Sequence, residues 1–166
     1  MSSKPERVKK LWISAAPGMW VDDAPLADLF RYMDGRPANR EKVRSLLFHD
    51  PNGFMAKTIV VDEPDEQRML SAYQSMTALA RLVWERPYSP KLPARLYRVQ
   101  CPVLLMWGDH DRLVPPAHAE AYKRCLPQAE VKFLKDCGHL LMFEKESEFV
   151  AEVTRFCRTA EVPRNE

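Results

Sequence analysis

Glycine is scarce in this sequence: there are five in 166 residues, at positions 18, 35, 53, 108 and 138. No set of them has the spacing of a G-x-G-x-x-G turn or of a G-x-x-x-x-G-K-[ST] phosphate loop, so those modes of nucleotide binding are excluded and no cofactor is expected. The four cysteines, Cys101, Cys125, Cys137 and Cys157, contain no C-x-x-C pair and no clustering typical of zinc ligands. The expectation is reduced structural thiols and no metal. Long apolar runs are absent as well. None approaches the ~20 residues of a membrane span, and there is no signal-peptide core, which points to a cytoplasmic protein without a membrane partner. One-sided charge is also missing. Lys and Arg number 25 against 23 Asp and Glu, for a net charge of +2. That balance leaves no footprint for nucleic acid or an anionic surface. The basic group Lys4, Arg7, Lys9 and Lys10 reads as a solvated edge.

What is present is proline, 14 of them, and a change of character along the chain. The stretch RVKKLWIS (7–14) alternates and then turns apolar, as a buried strand running into a loop does. DDAPLADLFRYM follows. Asp22 or Asp23 is placed to cap a helix, Pro25 suits its first turn, and Leu26, Leu29, Phe30 and Met33 form one stripe. NREKVRSLLF (39–48) predicts a second helix capped by Asn39, closed by HDPNG. A third, long helix is predicted from near Pro64 to about Glu85, with Met69, Leu70, Tyr73, Met76, Thr77, Ala80, Val83 and Trp84 on one face. Residues 22 to 98 are thus expected to be almost entirely helical. CPVLLMWGD (101–109) then reads as a strand buried on both faces, PPAHAEAYKRCL (115–126) as a helix, and AEVKFL (129–134) as a strand. SEFVAEVTRFC (147–157) reads as a helix capped by Ser147. Strand, helix, strand, helix implies parallel strands in an α/β protein.

In parallel sheets the working residues lie on loops beyond the carboxyl ends of the strands. Asp109 and Asp111 follow one predicted strand, and His139 follows the next. A carboxylate against one imidazole nitrogen fixes the tautomer and leaves the other nitrogen as a general base. The plainer alternative is a surface histidine and an aspartate that caps the helix at 115, and spacing alone does not choose between them. A metal site from His110 and His118 with Asp109 and Asp111 matches no ligand pattern. Asp109 is better suited to holding its loop through backbone N–H groups. His49, in a turn, is expected to be solvated. Trp20, Phe30, Met33, Trp84 and Tyr88 could line an apolar pocket, although packing between helices explains them more simply.

Together, CPVLLMWGDHDRLVPPAHAEAY and KFLKDCGHLLMFEKESEFVAEVTRF resemble the C-terminal part of the α/β-hydrolase family. The resemblance implies that Gly108 to Asp111 is the family's G-x-x-D, with Asp111 the triad acid, and that Gly138-His139 carries the triad base. It further implies a partial α/β-hydrolase fold of about three parallel strands with flanking helices, divided into a core strand and loop (1–21), a helical cap (22–98) and a C-terminal core (99–166). The family's nucleophile sits in G-x-S-x-G, which needs two glycines four apart, and this sequence has no such pair. Ser14 ends a strand without the required glycines, and Asp136 shares the turn of His139, so neither is expected to be the nucleophile. The chain therefore resembles a hydrolase truncated after its nucleophile. The implied activity is hydrolysis of an ester, or of a carbon–carbon bond next to a carbonyl, in a largely apolar small molecule. The alternative is a non-catalytic remnant or binding module of the same fold. With so few strands, the first would offer an unpaired edge for self-association.

Overall fold

The computed structural model describes residues 7–34, 36–83 and 86–159. Three parallel strands form one sheet in the order β1 (Leu11–Ser14), β2 (Val103–Gly108), β3 (Glu130–Leu134). Leu11 stands opposite Val103, and Leu104 opposite Glu130. All six residues of β2 are buried, and Leu104, Leu105, Met106 and Trp107 form the centre of the core. A continuous apolar run is what a strand covered on both faces requires. The Trp107 indole N–H is satisfied there by the Val114 carbonyl at 2.9 Å.

Seven helices accompany the sheet among the described residues: α1 (Pro37–Leu47), α2 (Phe54–Ile59), α3 (Glu66–Val83), α4 (Pro93–Leu96), α5 (Ala117–Cys125), α6 (Leu141–Glu144) and α7 (Glu146–Arg158). α5 connects β2 to β3 and buries Ala119 and Tyr122, the face its spacing predicts. α7 buries Phe149 and Phe156, while Val150 and Cys157 stay exposed. Lys10 Nζ donates to the carbonyls of Phe156, Cys157 and Thr159, which closes the carboxyl end of α7 with a cation.

Four local expectations need correction. The segment around Asp23 to Met33 is not an α-helix; it holds only a 3₁₀ turn at Phe30–Tyr32. Part of its backbone is satisfied by the core, since Ala27 N–H donates to the Leu113 carbonyl and the His118 ring bonds to the Ala24 carbonyl at 2.9 Å. α1 starts two residues before Asn39 because Pro37 occupies the first helical turn, where its missing N–H costs nothing. Asn39 Nδ2 donates to Asp34 instead. Ser147 lies inside α7 and is not its cap, because α6 runs into α7 with only Lys145 between them. Lastly, the apolar stripe on α3 is not a core face. Met69, Leu70 and Tyr73 are 53%, 56% and 71% exposed, and among the stripe residues whose side chains are described only Met76 and Ala80 are half-buried. Trp84, also assigned to that stripe, lies outside the described residues.

Candidate active site

Two loops at the carboxyl ends of β2 and β3 carry the candidate residues. They approach so closely that side chains would not fit between them. A Cβ on Gly108 would lie 2.1 Å from the Gly138 carbonyl oxygen, and one on Gly138 would lie 2.6 Å from the His49 backbone nitrogen. Both contacts are with backbone, which has no rotamer to yield, so glycine is required at each position.

This approach brings Asp111 to His139. Asp111 Oδ2 is 2.9 Å from His139 Nδ1 across 28 positions of sequence. The Asp111 side chain is fully buried, whereas 19% of the His139 side chain is exposed. The other carboxylate oxygen, Oδ1, accepts the N–H groups of Leu113 and Val114 at 2.9 and 2.8 Å. A carboxylate only accepts, so Nδ1 is the protonated nitrogen of the neutral ring and Nε2 is left with its lone pair. The structure thus brings together the two residues that the strand order placed on neighbouring loops.

The remaining polar groups separate cleanly. Asp109 Oδ1 is 2.7 Å from His110 Nδ1 and accepts the Cys137 N–H at 3.2 Å, so it bonds to backbone N–H as expected, but across to the loop after β3 and not only within its own loop. Burial pushes its carboxyl up, but the bonds from His110 and from the Cys137 and Asp136 N–H groups outweigh this and hold it below the ordinary value. Asp109, His110 and Asp136 offer three ligand atoms within 4.8 Å of one another and are the described residues best placed to hold a metal ion. His118 is not among them; it is buried with its ring on the Ala24 carbonyl. His49 is not solvated as expected: its Nδ1 is buried, and its ring packs edge-on to His110 with centroids 4.4 Å apart. The Ser14 hydroxyl is buried and has no hydrogen-bonding partner, so it is not engaged by His139. Burial pushes the Cys137 thiol up to about 12, so it is no nucleophile either.

His139 opens onto a cavity of about 800 Å³. Its walls are mainly apolar and include Leu26, Leu29, Phe30, Leu79, Leu113 and Val114, with Asp28 and Arg31 as charged members. Phe30 therefore lines a pocket, where packing between helices had been the simpler reading. Trp20 is 57% exposed and packs against Tyr88 with the rings tilted at 47°.

Sequence reasoning missed the bracket around this site. The Leu47 carbonyl accepts the N–H groups of both His139 and Leu140. Arg112 donates to the carbonyls of Ser45 and Phe48, and the Glu144 carboxylate accepts N–H groups from Gly138 and His49. Apart from the Gly138–Glu144 bond, these contacts join segments far apart in the sequence, and no local pattern announces them.

The sequence matches the alpha/beta hydrolase fold family over residues 2–146, and the chain belongs to that family. It is 33% identical over 110 residues to a dihydrolipoyllysine-residue acetyltransferase component of an acetoin cleaving system from Cupriavidus necator, covering 66% of this chain and 28% of that protein. It is 26% identical to Lipase 1 of Psychrobacter immobilis, covering 96% of this chain and 51% of the lipase. A 2-hydroxy-6-oxononadienedioate/2-hydroxy-6-oxononatrienedioate hydrolase of Pseudomonas putida is 27% identical over 82 residues, covering 49% of this chain and 29% of that enzyme. This chain spans about half the length of these curated relatives, or less. Among solved structures, a 2-hydroxy-6-oxo-6-phenylhexa-2,4-dienoate hydrolase from Rhodococcus has the same fold, with a TM-score of 0.62 at 24% identity, covering 94% of this chain and 57% of that one.

Proposed function

We propose that this chain carries the acid and base of a hydrolytic triad, Asp111 and His139. The proposed reaction is hydrolysis of an ester, or of a carbon–carbon bond next to a carbonyl, in a largely apolar small molecule. One observation carries the reading: a fully buried carboxylate bonded at 2.9 Å to the Nδ1 of a histidine that lines an apolar cavity. The roles follow from that geometry. Asp111 holds the ring and stabilises the imidazolium. His139 Nε2 takes the proton from an attacking hydroxyl and returns it to the leaving group. In the ester case the serine oxygen bonds to the carbonyl carbon, the alcohol leaves with the proton, and water then releases the acid by the reverse sequence. Residues 22–98 act as the cap that shapes the substrate cavity. A serine in G-x-S-x-G is not among these 166 residues. The nucleophile, with its share of the oxyanion donors, comes from a further segment. The lipase and the oxononadienedioate hydrolase among the relatives support a hydrolytic reading.

The tautomer of His139 tests the assignment. Nitrogen-15 spectra of the neutral ring are expected to show Nδ1 protonated and Nε2 bare. Asp111→Asn should reverse this. Leu113 and Val114 N–H groups hold the amide oxygen, so the amide NH₂ faces Nδ1 and drives the proton to Nε2. A ring that exchanges between tautomers, indifferent to Asp111→Asn, would remove the general base from the proposal.

A further inference from the structure

We infer that Glu144 is a positioning residue for His139, acting by clamping the glycine turn that carries the base onto the segment following α1. The inference rests on the dyad reading above and extends it to a residue that never touches the imidazole.

Glu144 stands at the end of α6, five positions after His139. One carboxylate oxygen, Oε2, accepts the Gly138 N–H at 2.6 Å. The other, Oε1, accepts the His49 N–H at 2.8 Å and the Asp50 N–H at 3.4 Å. Bonds to an ionised acceptor are about twice as strong as neutral ones. Gly138 is buried, so without Glu144 its N–H would lose a charged acceptor in a place closed to water.

The segment that Glu144 grips reaches both halves of the dyad. The Leu47 carbonyl takes the His139 and Leu140 N–H groups at 2.9 and 3.1 Å. Arg112, next to Asp111, donates to the carbonyls of Ser45 and Phe48 at 2.9 and 3.1 Å. Residues 45–50 are therefore a common frame against which the acid loop and the base loop are both set. The Gly138 backbone also lies against Gly108, so a displaced turn has no room to settle elsewhere without moving His139. Glu144 locks the base loop to this frame. Its loss lets the ring drift from Asp111 while the rest of the sheet stays intact.

The test is the pKa of His139 followed by NMR in the 166-residue chain, in a double-mutant cycle of Glu144→Gln and Asp111→Asn. Asp111→Asn alone is expected to lower the His139 value, because it removes the partner of the imidazolium. Glu144→Gln alone is expected to lower it by about half a unit or more, with the His118 signals and the circular dichroism unchanged. The decisive comparison is Glu144→Gln in the Asp111→Asn background. A residue that works by holding the ring on Asp111 has nothing left to hold, so the second shift falls to near zero. An equal shift in both backgrounds would show a simple through-space charge and overturn the inference, as would no shift from Glu144→Gln. If Asp111→Asn itself left His139 unmoved, the dyad would fail and this inference with it; movement there but none from Glu144→Gln sinks only the role of Glu144. Should the glutamine variant not fold, the wild-type chain answers. The Gly138 amide proton and the His139 ring signals must then move together as the Glu144 carboxyl, followed by carbon-13, takes up its proton. Indifference of either overturns the inference.

Discussion

Asp111 has three donors converging on one buried carboxylate: two backbone N–H groups and the His139 ring. Such a group is held in a fixed orientation, which is what the general-base role proposed for His139 would require of its partner. The same economy shows in the two glycines. Gly108→Ala would place a methyl group against the Gly138 carbonyl, so a loss of more than about 2 kcal/mol is expected in urea unfolding. The pKa directions give two further expectations. Asp109 sits below its ordinary value of 3.8, so its contribution is fully present above that value and is lost as pH falls through the lower folded value. Asp109→Asn should therefore blunt the acid sensitivity of the wild type when unfolding is compared at neutral and strongly acid pH. Cys137, pushed up to about 12 by burial, should resist a thiol reagent at mildly alkaline pH until the chain unfolds, whereas the exposed Cys157 should react at once. Counting thiols modified before and after denaturant checks this.

At the scale of elements, the strands and the helices after position 100 were legible because their signals are local. β2 is an uninterrupted apolar run, and α5 follows Pro115-Pro116 with its buried residues at helical spacing. Asp111 and His139 were legible as residues just past strand ends, but spacing alone left their pairing open, and it was the resemblance of Gly108 to Asp111 and of Gly138-His139 to the family's motifs that joined them. The helical segment before position 100 was less so, and the failures share a cause. The Leu26–Met33 stripe has a helical period, but the Ala27 N–H and, just before the stripe, the Ala24 carbonyl find partners on Leu113 and His118, and tertiary bonding overrides the period. α3 has the right period and length, yet Met69, Leu70 and Tyr73 on its stripe are exposed. Periodicity reports which residues share a face and not what covers it. Paired substitution of Met69 and Tyr73 by lysine should change unfolding free energy by only about 0.5 kcal/mol each. Leu105→Ala in β2 should cost about 2–5 kcal/mol. A large loss from the α3 pair would show that its face is covered.

For the whole molecule, the sheet has one consequence and the site another. β1 pairs with β2 on one side, and no described strand pairs with the other, where Trp12 is 40% exposed. An open edge is a template for another strand, so the isolated chain is expected to associate, which sedimentation at several concentrations would register. The site sets Asp111 against His139 beside an apolar cavity, and the proposed function needs a nucleophile delivered to His139. The most direct measurement is therefore reconstitution. Residues 1–166 are assayed with an activated aryl ester and a serine-directed phosphonate, alone and together with a segment that carries G-x-S-x-G and the first strands of the sheet. Alone, the chain should show no turnover above buffer and no labelling. Together, the added serine should be labelled and the ester cleaved, and His139→Ala should reduce both by at least about a thousandfold. Labelling of a residue within the 166, or reconstituted activity that survives His139→Ala, would contradict the account.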